Sequence, residues 1–188
     1  MFNKNRNSMT TTIKDDFMQR IATEEAWKSL SEDFAWTEAL LEKFQDKVDW
    51  KEISDNRNIV WTIPMLLKFS KKLDWEKLTD AIHDDWFTME HLEAFKDKWV
   101  WSKIPANITL TQSIVEKYID YWDWTELIDT RHDGYFGNAG TLFSNSFTPI
   151  DFYEKYKEYI PMSKLQDSYL WREMVEQRSK QLKAEILS

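Results

Sequence analysis

Large apolar residues recur along this chain in a fixed frame. Trp27, Trp50, Trp75, Trp101 and Trp124 lie 23, 25, 26 and 23 residues apart. Six residues before each stands Ile21, Phe44, Phe69, Phe95 or Tyr118, and three residues after each stands Leu30, Ile53, Leu78, Ile104 or Leu127. Thr37, Thr62, Thr88 and Thr111 each precede the Phe or Tyr by seven. Periods of this length mark stacked supersecondary units. From each Thr, apolar residues return at offsets 3, 4, 7 and 11: Leu40, Leu41, Phe44 and Val48, then Met65, Leu66, Phe69 and Leu73, and later Ile114, Val115, Tyr118 and Trp122. His91 takes offset 3 in the third set, before Leu92, Phe95 and Trp99. That spacing predicts an amphipathic helix of about three turns.

Side-chain chemistry at the punctuation points agrees. Thr accepts from an orphan N–H of a first helical turn. Pro64 and Pro149 fall in first turns, where a missing N–H costs nothing. Asp49, Asp74 and Asp123 precede Trp and can cap a second, shorter helix, with Glu52 and Glu126 placed to close capping boxes. Trp36, Trp61 and Trp86 sit one or two residues before a Thr, as staples would. Neither helix of a pair can bury its apolar face alone, so the pairs must stack. The expected fold is all-α, a solenoid of about six two-helix repeats with terminal capping helices. Residues 1–11 read as a polar arm, and a first helix should begin near Thr12. Residues 12–188 read as one helical repeat domain, closed by a helix capped by Asp167.

The phrase Asp49-Trp50-Lys-Glu-Ile53-Ser54-Asp-Asn56, followed by Trp61-Thr62 and Leu66-Leu-Lys-Phe69, resembles the tandem short helical repeats of giant DNA viruses, phages and some bacteria. The resemblance covers Trp27 to Leu127. It implies architecture and an interaction role rather than an activity. Val100 replaces the Asp before Trp101, Pro105 follows the short helix there, and the Asn occurs only at Asn56 and Asn107.

One insert, residues 129–147, breaks the array. It holds all three glycines of the protein, together with Tyr135, Phe136, Leu142, Phe143 and Phe147. Five apolar residues in a loop must pack down or meet a partner. Arg131, His132, Tyr135, Phe136 and Phe143 are therefore the candidate partner-binding residues. The array resumes at Thr148 with its phase one residue late, so that Met162 and Leu165 stand where Trp and Leu stood.

Composition narrows the function. The formal net charge of -8 disfavours direct binding to nucleic acid or an anionic membrane. With no cysteine, disulfides and thiolate zinc sites are excluded. No apolar run approaches a membrane span, and the first residues lack a signal-peptide core, which points to a soluble, intracellular, cytoplasmic protein. His83, His91 and His132 include no i, i+4 pair, and no nucleophile elbow or phosphate loop occurs. His91 reads as a packing residue. No catalytic residue, metal or cofactor is expected. The leading reading is a protein–protein interaction or scaffold repeat protein, not an enzyme. A second is an acidic decoy that masks a nucleic-acid-binding host protein, and a third is an enzyme with its site under the insert.

Overall fold

The computed structural model describes residues 5–83, 85–130 and 147–188, with the side chains of the first helix from residue 16 onward. Every element among the described residues is a helix or a 3₁₀ turn, and none is a strand. The chain divides into two compact units, Met1–Ala81 and Ile82–Ser188.

The first unit opens on α1 (Asn5–Asp33), a single unbroken helix. The start expected near Thr12 lies inside it, and Trp27 shares one helix with Ile21. The reason is local: residues 22–26 are Ala-Thr-Glu-Glu-Ala, with nothing to break a helix. Then follow α2 (Glu38–Phe44), α3 (Trp50–Asp55), α4 (Ile63–Phe69) and α5 (Trp75–Ala81). Thr37 and Thr62 cap α2 and α4, their hydroxyls accepting from the N–H groups of Leu40 and Met65. Pro64 sits in the first turn of α4. The helices that begin at Thr are two turns long rather than three. Each ends at its Phe, and the offset-11 residues Val48 and Leu73 lie past the end, yet both are buried. Their N–H groups still reach back to Phe44 and Phe69 carbonyls, 3.2 Å away in each case.

In the same unit α1 packs on α3, and α3 on α5. Buried hydroxyls join them. Ser31 donates to the Trp27 carbonyl (2.7 Å) and accepts from the N–H of Asp49 (2.9 Å). One repeat later Ser54 donates to the Trp50 carbonyl (2.6 Å) and accepts from the N–H of Asp74 (2.9 Å). Both serines are fully buried. This changes the capping expected of Asp49. Its carboxylate does accept from Lys51 and Glu52 N–H groups, but the Asp49 N–H that a capping box would give to Glu52 goes to Ser31. Glu52 turns to Lys28 instead, at 3.5 Å.

The second unit holds α6 (Met89–Ala94), a 3₁₀ turn (Ile104–Ala106), α7 (Gln112–Lys117), α8 (Trp124–Asp129), α9 (Pro149–Tyr156), α10 (Met162–Leu165) and α11 (Tyr169–Leu187). The 3₁₀ turn stands where an α-helix opening at Trp101 was expected. Val100 offers no capping carboxylate there, and Pro105 has no N–H to extend a ladder. Thr111 caps α7, and Thr148 with Asp151 completes a capping box on α9. The cap of α11 is Ser168, not Asp167. Its hydroxyl accepts from the Trp171 N–H (3.2 Å) while donating to the Leu165 carbonyl (2.6 Å). α11 packs on both α8 and α9. Across both units the offset-4 residue of each Thr set, Leu41, Leu66, Leu92 or Val115, has no exposed surface. The frame read from the sequence is thus the frame of the core.

Candidate interaction surface

The Trp rings define a seam between successive repeats. Ring centroids lie 5.4 Å apart for Trp27 and Phe44, 5.1 Å for Trp50 and Phe69, 5.3 Å for Trp101 and Tyr118, and 5.5 Å for Trp124 and Tyr156. In each pair the Trp belongs to one repeat and the Phe or Tyr to the next. A second residue, three beyond that Phe or Tyr, covers the same indole. It is Lys47 over Trp27 (5.4 Å) and Lys72 over Trp50 (5.3 Å) in the first unit. In the second unit it is Tyr121 against Trp101 (4.9 Å) and Tyr159 against Trp124 (5.2 Å). Aromatic pairs contribute roughly 0.5–1.5 kcal/mol beyond their burial, and cation–π contacts about 0.5–1 kcal/mol near the surface.

Four indoles also end the helix before them. The N–H groups of Trp50, Trp75, Trp101 and Trp124 donate to the carbonyls of Gln45, Ser70, Lys96 and Ile119, at 2.9, 3.0, 2.9 and 3.2 Å. Those carbonyls lie just past the helix ends and have no intrahelical donor. At Trp50, Trp101 and Trp124 one indole closes its own repeat while its ring packs on the next.

Outside the seam runs a ladder of charges. Lys68 pairs with Glu42 of the preceding repeat at 3.1 Å, and with Glu38. Lys117 pairs with Glu93 at 3.1 Å, and Lys155 with Glu116. In the second unit phenols join it. Tyr118 donates to Glu93 (2.8 Å) and Tyr156 to Glu116 (3.3 Å). The Tyr118 hydroxyl, then Lys117 and Lys96, hold the Glu93 carboxyl down at about 2. Burial pushes both phenols up, with Glu93 and Glu116 adding to it. A phenol moved further from neutrality is neither base nor nucleophile at pH 7, so the ladder reads as structural. The sign of its pH dependence follows. Glu93 has a lowered value in the folded state, so its contribution is present above the ordinary carboxylate range and lost as pH falls towards 2. The melting-temperature difference between the native chain and Glu93→Gln should be largest near pH 6 and shrink steadily towards pH 2. A constant difference would assign the effect to something other than this carboxylate.

The candidate residues Arg131, His132, Tyr135, Phe136 and Phe143 lie outside the described residues. The two stems of their insert are described. Asp129, at the end of α8, accepts from the N–H of Tyr169 (3.1 Å) and lies 4.0 Å from the Arg172 guanidinium. Phe147, before α9, meets Phe152 and Tyr156 edge-on at 6.2 and 6.5 Å. Close to the second stem, the N–H of Ile150 donates to Gln177 (3.2 Å). Both stems are therefore held in the second unit, the first by α11 and the second by α9. His91 is 9% exposed, hydrogen-bonded to Thr88 (2.9 Å) and stacked on Phe87. It packs, as its position on the helix face implied. His83 lies 3.4 Å from Asp85. Among the described residues no group of three or more His, Cys, Asp or Glu could hold a metal ion, and no helix is long and apolar enough to cross a membrane.

Reading the sequence missed two features. One is the buried hydroxyl four residues after Trp at Ser31, Ser54 and Thr79, which donates to the carbonyl of that Trp each time. The signal was the shared offset of three hydroxyls, weakened because Pro105 and Ile128 take that place in the later repeats. The other is Asn56. It is 2% exposed and donates to the carbonyls of Ser31 (2.8 Å) and Phe34 (2.9 Å) in the preceding repeat. No family model, no curated protein and no solved structure matches this chain.

Proposed function

We propose that the chain is an α-solenoid of about six two-helix repeats that serves as a protein–protein interaction scaffold, without enzymatic activity, and that the insert at residues 129–147 carries its partner contacts. One observation supports this reading above the others. The same Trp-to-Phe or Trp-to-Tyr seam recurs at Trp27, Trp50, Trp101 and Trp124. A surface made by repetition presents side chains at regular intervals, which suits binding an extended partner. The charged groups next to the seam are spent on one another, as in Glu93 with Lys117, rather than gathered around a pocket. The insert is the longest departure from the repeat frame, and its stems are anchored at Asp129 and Phe147.

Replacing residues 130–144 by a short turn tests the assignment. Helical circular dichroism and the urea midpoint should stay near their native values, because loop length costs only about 0.6 kcal/mol per doubling. Affinity capture from the source cell should lose its strongest partner. Tyr135→Ala, Phe136→Ala and Phe143→Ala should each weaken the same capture. A shortened chain that captures its partner normally removes the insert from the function. One that fails to fold assigns the aromatic residues to the core.

A further inference from the structure

The third residue past each repeat aromatic is a lysine at Lys47, Lys72 and Lys98 and a tyrosine at Tyr121 and Tyr159. The residue before it is acidic in four of these five sets, as Asp46, Asp97, Asp120 and Glu158. The first unit shows what the two positions do together. Lys72 places its ammonium 5.3 Å from the Trp50 ring and 4.0 Å from Asp46 of the preceding repeat. One cation is thus held between an aromatic face and a carboxylate. In the second unit the acid is kept and the lysine is replaced. In register, Tyr121 stands to Asp97 as Lys72 stands to Asp46, and Tyr159 stands to Asp120 likewise. Both tyrosine rings pack on their indoles yet stay 38% and 44% exposed. Asp97 and Asp120 are exposed too, and neither has an ion pair among the described residues. Lys96 lies within electrostatic reach of Asp97 and Tyr121, but its ammonium is paired with Glu93 at 3.3 Å.

We propose that Tyr121 and Tyr159 form a docking surface for a basic segment of a partner protein, whose lysine or arginine side chains take the part that Lys72 plays in the first unit. One cation lies over Tyr121 near Asp97 and a second over Tyr159 near Asp120. Charge favours this occupant. Residues 82–168 hold fifteen acidic side chains against eight basic ones, a balance that draws a cationic segment and repels nucleic acid. Spacing favours its shape. The Trp124 indole links the two tyrosines within one unit, donating to the Ile119 carbonyl two residues before Tyr121 and stacking on Tyr159. Helices packed side by side lie roughly 8–10 Å apart. A polyproline II segment rises about 3.1 Å per residue with three residues per turn, so positions i and i+3 share a face about 9 Å apart. Such segments dock on aromatic-lined surfaces. The occupant is therefore an extended, proline-rich segment with basic residues at i and i+3. The surface uses no residue of the insert and stands apart from its role.

Fluorescence anisotropy of the full chain with the labelled peptide Pro-Pro-Arg-Pro-Pro-Arg-Pro-Pro tests this. The expected Kd is on the order of 100 µM, weakening severalfold as salt rises from about 50 to 500 mM. Moving the second arginine next to the first should weaken binding about threefold, through loss of one cation–aromatic contact, and replacing both by glutamine about tenfold. Y121K/Y159K is the deciding variant. It restores the lysines of the first unit, so its helical circular dichroism should match the native chain while the peptide loses about tenfold in affinity. Y121F/Y159F should bind as the native chain does, because each ring keeps its face. D97N/D120N alters only exposed carboxylates and should bind more weakly at low salt, the difference fading at high salt. A native chain that does not prefer the arginine peptide to its glutamine counterpart overturns the proposal. So does an affinity indifferent to arginine spacing, or one unchanged in Y121K/Y159K or in D97N/D120N at low salt.

Discussion

Trp124→Ala should lower the stability of the second unit by about 3–5 kcal/mol, the cost of deleting a large buried aromatic. The indole is 8% exposed and lies between Tyr156 and Tyr159, while its N–H donates to the Ile119 carbonyl. Trp124→Phe separates the two roles. It keeps a ring in the seam and removes the donor, so about 1 kcal/mol should be lost through the unmade hydrogen bond. Urea denaturation followed by circular dichroism measures both. A loss below about 1 kcal/mol for the alanine variant would show that the ring is a surface feature, not a plug between repeats.

Asn56→Asp should be the most damaging isosteric change in the first unit. The Asn56 amide nitrogen faces two carbonyl oxygens, and its own oxygen accepts from the Asn58 N–H (2.8 Å). Asn56→Ala leaves these groups without partners, at a cost of roughly 3 kcal/mol. The aspartate brings a carboxylate against both carbonyls with no donor between them, so it should cost more than the alanine or fold only as the neutral acid. The stability of Asn56→Asp should therefore rise as pH falls from 7 to 4 (where the native chain gains nothing comparable). If the aspartate proves no worse than the alanine, the two carbonyl contacts do not carry the junction.

Much of this was legible because repetition makes weak signals strong. One Thr followed by Leu at offset 4 means little. Four such sets, all ending in a fully buried Leu or Val, locate the core. The role of the Trp ring followed from its spacing for the same reason. What stayed hidden depends on atoms that meet across repeats. Ser54 looks like an ordinary surface serine until Asp74, twenty residues on, is seen to give it an N–H. Helix length was misjudged because propensity does not reveal that an indole five residues downstream captures the carbonyl of Gln45 or Ser70. The insert has no period at all, so its aromatic residues could be identified as unusual but not placed.

The double use of the indole at Trp50, Trp101 and Trp124 decides where this chain can change length. From Thr to Trp the distance is thirteen residues in four repeats: Thr37 to Trp50, Thr62 to Trp75, Thr88 to Trp101 and Thr111 to Trp124. One added residue there would move the ring off its helix-closing carbonyl, and at Trp50, Trp101 and Trp124 off the next aromatic as well. From Trp to the following Thr the distance runs from ten residues (Trp27 to Thr37) to twenty-four (Trp124 to Thr148). Insertions are thus admitted between a Trp and the following Thr and refused between a Thr and its Trp. A protein with this constraint can try new loops after each Trp while every Thr-to-Trp segment stays in register, and the segment between Asp129 and Phe147 is the longest such trial it carries.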